Sequence, residues 1–235
     1  LDQFATGLVG TRSPYGACEN AFNPEYISGG SSSGSAVAVA VGQVSFALGT
    51  DTAGSGRVPA AFHNLVGLKP PRGLVSTRGV VPACRSLDCV SVFALCAADT
   101  RDVLDVLAHF DAEEPFARRA PACPENQLPV HGMRVGIPRD DQLKFFGDSE
   151  YAYLFLNSVE RLRELGAEIR EVDFDPFLQA ARLLYEGPWV AERYLAVREL
   201  LEQRPASLFP VTRDIIAGGS KPSALDAFSA AYRLA

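Results

Sequence analysis

Apolar and polar positions along the chain follow two different periods, which predicts a mixture of helices and strands. Small apolar residues fill the stretch from Gly34 to Ala47 on every side, so we predict a fully buried helix there. Three further stretches repeat apolar residues every three or four positions and are predicted as helices: Thr100–Phe110, Ser149–Leu165 and Pro176–Gln203, the last broken near Gly187 and Pro188.

Shorter apolar runs lie between these helices. They predict strands at Val66–Leu68, Met133–Pro138 and Ala167–Phe174, and a further short strand or extended piece at Val80–Pro82. Residues 111–130 carry prolines at four positions and are predicted as a surface loop. Because strands and helices alternate, we expect an α/β fold with a mixed central sheet covered by helices.

Composition and charge narrow the range of partners. The 235 residues carry a net charge of −6 and contain no run of Lys or Arg, which argues against nucleic-acid binding and against an anionic membrane surface. The five cysteines lack paired metal-site spacing and accompany only three histidines, so we expect no metal site. No apolar stretch is long enough to span a bilayer, and no secretory signal opens the chain. We therefore predict a cytoplasmic protein that acts on a small molecule.

Two glycine-framed serine clusters are the strongest chemical signal. The first is GGSSSGS at 29–35, and the second is GTDTAGSGR at 49–57. One such cluster alone is typical of a flexible turn, and backbone amides at a helix start also suit a phosphate. No Gly-Lys-Ser/Thr follows, however, so a phosphate-binding loop of the Walker type is unsupported. The pair of clusters indicates an active site that cleaves amides.

Together the two clusters resemble the amidase signature family, and the flanking GLKPPRG segment is similar to it as well. The resemblance implies that Ser55 is the nucleophile and that Ser31, after a cis peptide at Gly30, bridges it to a lysine base. It implies no metal and no organic cofactor. That lysine lies upstream of LDQFATG in the family, and Lys69 stands too far downstream to replace it. We therefore expect residues 1–235 to be the central part of one catalytic domain, truncated at both ends and inactive alone.

The same resemblance assigns the oxyanion hole to backbone amides just before the nucleophile. The matching residues are Thr52, Ala53 and Gly54, together with the amide of Ser55. We expect Asp51 and Arg57 to brace this loop rather than to contact the substrate.

The segment after the last predicted strand resembles the allophanate hydrolase branch of the family. Tyr185 and Arg193 have the spacing with which that branch holds a substrate carboxylate, and a guanidinium suits a carboxylate well. The resemblance implies allophanate as substrate, a urea carboxylase on the same chain or separate from it, and a homodimer. Three alternatives stay open. The first is another amidase or the amidase component of a tRNA-dependent amidotransferase. The second is a non-catalytic carboxylate-binding module. The third is that Tyr185 and Arg193 are ordinary helix residues.

Overall fold

A computed structural model of the chain describes residues 1–119 and 129–235. The described residues fall into two compact units, Leu1–Pro121 with Leu183–Ala235 and Ala122–Arg182. Their helices and strands are, in chain order, α1 (Ser33–Ala40), β1 (Phe46–Thr50), α2 (Arg57–Phe62), β2 (Val66–Leu68), β3 (Val90–Ala94), α3 (Ala97–Leu107), β4 (Arg134–Pro138), α4 (Ser149–Glu164), β5 (Glu168–Val172), α5 (Asp175–Tyr185), α6 (Val190–Gln203), α7 (Pro210–Ala217) and α8 (Ala224–Leu234). Short 3₁₀ turns lie at Gln3–Ala5, Asp140–Gln142, Pro205–Ser207 and Gly218–Ser220.

The first unit is built on an antiparallel sheet in the order β1-β3-β2. The register pairs Phe46 with Ala94 and Thr50 with Val90. Phe93 on the central strand is fully buried, and it packs with small residues of α1 and α2 at Ala36, Val39 and Ala60. Small side chains on both helices let them approach the sheet closely, so β1 and α2 hold the segment between them in a fixed place.

The second unit is a parallel pair of strands, β4 and β5, joined through α4. Helix α4 begins at a capping aspartate, because the Asp148 carboxylate accepts the amide of Tyr151 at 2.8 Å. It ends before Gly166, whose φ of +87° is a left-handed conformation that glycine adopts without strain. This is the strand-helix-strand arrangement that parallel pairing requires.

The predicted buried helix over Gly34–Ala47 is wrong in length and in burial. Helix α1 ends at Ala40, because Gly42 has a left-handed φ of +73° and donates its amide to Val39. Gln43 donates to Ala38 in the same turn, which completes a Schellman cap. The last residues of the predicted helix instead form β1, and only one face of α1 is buried.

The other predicted elements are close to those observed. The helices predicted at 100–110, 149–165 and 176–203 correspond to α3, α4 and the pair α5 and α6, with the break between Tyr185 and Val190. Three of the predicted strands are β2, β4 and β5, whereas β1 and β3 were not foreseen. The stretch predicted at Val80–Pro82 is not a strand, because the Val80 amide closes a turn by donating to the Thr77 carbonyl at 3.1 Å. The α/β class is confirmed, although the described strands belong to one antiparallel and one parallel sheet. Residues 120–128 of the predicted loop lie outside the described residues, and 111–119 form turns.

Candidate active site

Asp51 organises the loop between β1 and α2, called here the nucleophile loop (residues 51–57). Its side chain is fully buried and accepts the amides of Gly54 at 2.6 Å and Gly56 at 3.1 Å. The Arg57 guanidinium adds a two-pronged contact at 2.9 and 3.0 Å. These contacts match the bracing role expected for Asp51 and Arg57.

The electrostatics of this pair favour its charged state. Burial by itself raises the pKa of Asp51, but the hydrogen bonds from Arg57, Gly54 and Gly56 outweigh burial and hold the pKa below its ordinary value. The hydrogen bond to Asp51 raises the pKa of Arg57 above its ordinary value. At neutral pH the nucleophile loop is therefore folded around an ion pair.

Ser55 is a buried residue of this loop and lies two residues before the start of α2 at Arg57. It is 3% exposed, and Ser31 is 2% exposed. The peptide bond between Gly30 and Ser31 is cis, as the resemblance implied. The two serine segments are adjacent, because the Ser32 amide donates to the Ser55 carbonyl at 3.4 Å. The hydrogen bonds of the described residues include none between the two serine hydroxyls.

The backbone amides assigned to the oxyanion hole differ in what they contact. The Gly54 amide already donates to Asp51. Within residues 1–119 and 129–235, the amides of Thr52, Ala53 and Ser55 have no hydrogen-bond acceptor. Among the predicted residues, Thr52 and Ala53 therefore have amides that are free to donate to a ligand, as does Ser55, whereas the Gly54 amide is engaged. The assignment of all three predicted residues stays a prediction.

Ser55 opens onto a cavity of about 360 Å³ in the first unit. Ala53, Tyr185 and Arg193 line the same cavity, although more than a hundred residues separate the last two from Ser55 in the sequence. Other parts of the wall come from the N-terminal segment and the C-terminal helices, at Ala5, Thr6, Gly7, Leu8, Val9, Arg12, Leu184, Val190 and Ile215. Ser31 does not line this cavity and borders a second one of about 640 Å³.

Arg193 is held on one side only. Its Nη1 donates to the Ala5 carbonyl at 3.1 Å, to the Phe4 carbonyl at 3.4 Å and to the Thr6 hydroxyl at 3.0 Å. The ion pairs of the described residues include none with Arg193. Burial lowers the pKa of this guanidinium below its ordinary value, although arginine stays charged at neutral pH. A partly buried cation with free donors is suited to an anionic ligand.

The turn that Arg193 holds has an unusual backbone. Phe4 and Ala5 are not glycine, yet both have left-handed φ values, of 52° and 50°. Such conformations are disfavoured for side chains with a Cβ and persist where neighbouring groups stabilise them. The Arg193 contacts to both carbonyls supply that stabilisation, so the arginine also fixes one wall of the cavity.

Tyr185 reaches the nucleophile loop from the end of α5. Its hydroxyl donates to the Ala53 carbonyl at 3.5 Å, and the residue is 55% exposed. Partial burial raises the pKa of this phenol above its ordinary value, with Arg193 opposing the change. Tyr185 and Arg193 thus line the cavity that contains Ser55. That they hold a substrate carboxylate stays a prediction.

The sequence reasoning gave no role to Arg12 or Asp88. Arg12 also lines the cavity, and its Nη1 donates to the Thr6 carbonyl at 3.1 Å. The described cavity wall therefore carries two arginines and no carboxylate. Asp88 is 5% exposed and accepts the Thr52 hydroxyl at 2.5 Å. Arg12 lies in the segment GTRSPYG and Asp88 in the segment RSLDCVS. Neither segment indicates which residues they contact, because those contacts depend on the tertiary structure.

Lys69 makes no hydrogen bond with Ser31 or Ser55 within residues 1–119 and 129–235. Its ammonium donates to the Pro70 carbonyl at 2.8 Å and lies 3.7 Å from the Cys89 sulfur. In the part of the chain that the structure describes, no group of three or more His, Cys, Asp or Glu side chains could hold a metal ion. None of its described helices combines the length and apolarity needed to cross a membrane.

Comparisons with known proteins agree with this geometry. Residues 1–232 match the Amidase family. The urea amidolyase of Saccharomyces cerevisiae is 50% identical over 235 residues, which cover 99% of this chain and 13% of that protein. The urea amidolyase of Lachancea kluyveri is 49% identical over 236 residues, which cover 99% of this chain and 13% of that protein.

A solved structure extends the similarity to the fold. The allophanate hydrolase of Kluyveromyces lactis matches with a TM-score of 0.94 and 51% identity, over 99% of this chain and 38% of that one. The chain thus spans well under half the length of each of these relatives. Its two serine clusters, cis peptide and fold are those of an amidase, and the chain belongs to the Amidase family.

Proposed function

We propose that this chain carries the amide-cleaving site of an allophanate hydrolase, which releases ammonia from N-carboxyurea. One observation supports the proposal above the others. A buried serine and an arginine without an anionic partner among the described residues line one small cavity. The cavity can thus hold a carboxylate at one end while an amide carbonyl meets Ser55 at the other.

In the proposed reaction the Ser55 hydroxyl oxygen attacks the terminal carbonyl of the substrate. Its proton passes to Ser31 and from there to the lysine base, which the family resemblance places upstream of LDQFATG. The developing oxyanion accepts hydrogen bonds from the free amides of the nucleophile loop. The base returns the proton to the amino group as the C–N bond breaks, so that ammonia leaves and Ser55 carries the acyl group. Water then attacks the acyl carbonyl and loses a proton to the base, which releases a carboxylated product and restores the Ser55 hydroxyl. Lys69 is not the base in this scheme, because its hydrogen bonds within the described residues, to the Pro70 carbonyl and the Cys89 sulfur, include neither serine.

Recognition of the carboxylate is assigned to Arg193, with Tyr185 beside it. The Nη1 of Arg193 faces the N-terminal turn, which leaves its Nε and Nη2 donors for a bidentate contact. Arg12 adds a second positive charge to the wall. A neutral amide would leave a buried guanidinium unpaired, so the cavity favours an acidic substrate over a neutral one.

Allophanate is itself a carboxylated urea, so a urea carboxylase must supply it. We propose that this activity lies on the same protein. The proposal is supported by a 50% identical relative named urea amidolyase, of which this chain covers 13%. A cytoplasmic location and a homodimer stay predictions.

The test is ammonia release from allophanate by the full-length protein and its serine variants. We expect Ser55→Ala to lower kcat about a thousandfold or more, because the nucleophile is lost. Ser31→Ala should lower kcat by a comparable factor. Ser35→Ala is the matched control: its hydroxyl donates to the Leu48 carbonyl at 2.8 Å on the surface of α1, and kcat should change less than twofold.

Two results would count against the proposal. Full activity in Ser55→Ala would exclude the serine mechanism. Malonamate has a CH2 group in place of the NH group of allophanate and so keeps its carboxylate. If the wild type does not turn over allophanate, and Ser55→Ala binds malonamate as tightly as the wild type does, the non-catalytic carboxylate-binding module would be favoured instead.

A further inference from the structure

The last part of the connection between β2 and β3 contacts both the nucleophile loop and the start of α6. This loop, residues 83–89, is closed by Asp88, whose carboxylate accepts the amides of Ala83 at 2.9 Å and Cys84 at 3.0 Å. Asp88 is 5% exposed, so the loop is folded around a buried charge that its own amides satisfy. Because these hydrogen bonds hold the loop in one conformation, they also hold the residues that contact it at fixed positions.

One side of the 83–89 loop holds the nucleophile loop. The Thr52 hydroxyl donates to Asp88 at 2.5 Å, and the Asp51 amide donates to the Cys89 carbonyl at 2.8 Å. Thr52 also carries one of the free amides beside Ser55. The Asp88 contact therefore fixes the residue that presents this donor.

The other side of the 83–89 loop holds the start of α6. Glu192 accepts the Ser86 amide at 2.7 Å and the Ser86 hydroxyl, and the Cys84 thiol lies 3.9 Å from the Trp189 carbonyl. Glu192 immediately precedes Arg193. The contact with Ser86 therefore fixes the turn of helix from which the guanidinium enters the cavity.

We propose that the 83–89 loop is a positioning element, which sets the spacing between the nucleophile loop and Arg193 through Asp88 on one side and Glu192 on the other. The proposal rests on the proposed function, because it assigns the amide end of the substrate to the nucleophile loop and the carboxylate end to Arg193. Neither carboxylate lines the cavity, so both act through another residue.

The two contacts should affect different kinetic constants. Loss of the Thr52 contact displaces a donor used in the transition state, and so should lower kcat. Loss of the Glu192 contact displaces a group that binds substrate and transition state alike, and so should raise KM. A merely structural loop would lower thermal stability without separating the two constants.

The experiment compares kcat and KM for allophanate in the full-length protein. Thr52→Val should lower kcat about tenfold, the scale of one hydrogen bond to a charged group, with KM changed less than threefold. Thr52→Ser keeps the hydroxyl and should recover most of that loss. Glu192→Ala should raise KM about tenfold with kcat changed less than threefold.

Glu114→Gln is the matched control. Glu114 is 6% exposed and accepts the Thr77 hydroxyl at 2.9 Å and the Phe116 amide at 3.2 Å, but it contacts neither the nucleophile loop nor α6. It should lower the melting temperature without changing kcat or KM. Equal effects of Thr52→Val and Glu192→Ala on both constants, or no effect of either, would overturn the proposal.

A second readout separates this proposal from the choice of substrate. The rate at which a fluorophosphonate labels Ser55 reports the nucleophile loop without any amide. Thr52→Val should slow labelling about tenfold, and Glu192→Ala should not slow it. If the wild type is labelled but does not cleave allophanate, the proposed substrate is wrong. The labelling rates of the two variants still test whether the Thr52 contact positions the nucleophile loop.

Discussion

At the scale of single residues, one buried carboxylate determines the local geometry of the site. Asp51 accepts hydrogen bonds from two glycine amides and a guanidinium, and an asparagine would place an amide group against those donors. We expect Asp51→Asn to lower the free energy of unfolding by about 2 to 3 kcal/mol, because it breaks a buried pair whose arginine is half exposed.

Urea unfolding at pH 7 measures this loss. Asp226→Asn is the control: it alters the exposed capping box of α8, in which Ser223 is the N-cap, and should lower the free energy of unfolding by less than Asp51→Asn does. The pKa of Asp51 is lowered in the folded chain, so its contribution is present above the unfolded pKa near 4 and is lost as the pH falls through the folded value. Equal stability of the two variants at pH 7 would contradict the role given to Asp51.

The buried thiol of Cys84 gives a second prediction at this scale. Burial, with help from Glu192 and Asp88, raises its pKa to about 12, so the thiol is neutral at pH 8. N-ethylmaleimide at pH 8 should modify the exposed Cys96 and leave Cys84 intact until urea is added, as read by mass spectrometry. The stability gained from the neutral thiol is present below pH 9 and is lost as the pH rises towards 12. Comparable modification of both thiols in the folded protein would contradict this.

Single residues also show what sequence reasoning can predict. Ser31 and Ser55 could be assigned because fixed motifs surround them. The engagement of the Gly54 amide by Asp51 could not, because neighbours in sequence do not reveal which amides of a glycine-rich turn are free. The partner of Thr52 lies thirty-six residues away, so only the folded chain identifies Asp88.

At the scale of elements, the end of α1 decides how the site is built. Sequence periodicity extended this helix to Ala47, since alanine and valine fit a buried helix and a strand equally well in so short a run. Gly42 decides the outcome with its left-handed φ of +73°. Because the helix stops there, β1 can deliver Asp51 and Ser55 to the edge of the sheet.

Two glycines of this region should respond in opposite directions to alanine. Gly42→Ala should lower the free energy of unfolding by about 1 to 2 kcal/mol, because alanine is strained in the left-handed region. Gly34→Ala should raise it by about 0.5 to 1 kcal/mol, because this position is helical and a Cβ there meets nothing within 4 Å. Thermal unfolding of both variants measures the difference, and a shift of the same sign in both would contradict the assigned cap.

At the scale of the whole molecule, the cavity is assembled from distant parts of the chain. The N-terminal turn, the nucleophile loop and α6 each contribute one wall, and Arg193 ties the first of these to the last. The motif pair and the spacing of Tyr185 and Arg193 predicted a site that includes Ser55, Tyr185 and Arg193, which line one cavity, and Ser31, which borders another. The roles of these residues stay predictions. Neither pattern could predict that Arg12 lines the same cavity, because a single sequence does not show that residues 12 and 193 share a wall.

We propose that Ser55 cleaves an amide whose far end is a carboxylate held by Arg193. The most direct test is the ratio of kcat/KM for allophanate to that for biuret, which carries an amide in place of the carboxylate. The full-length protein should favour allophanate about a thousandfold, and Arg193→Met should reduce that ratio to about tenfold or less, as expected for a buried cation that loses its anion. Arg198→Met removes an exposed arginine of the same helix, which pairs with Glu202 at 2.9 Å, and should leave the ratio unchanged. A ratio that Arg193→Met does not alter would contradict the account.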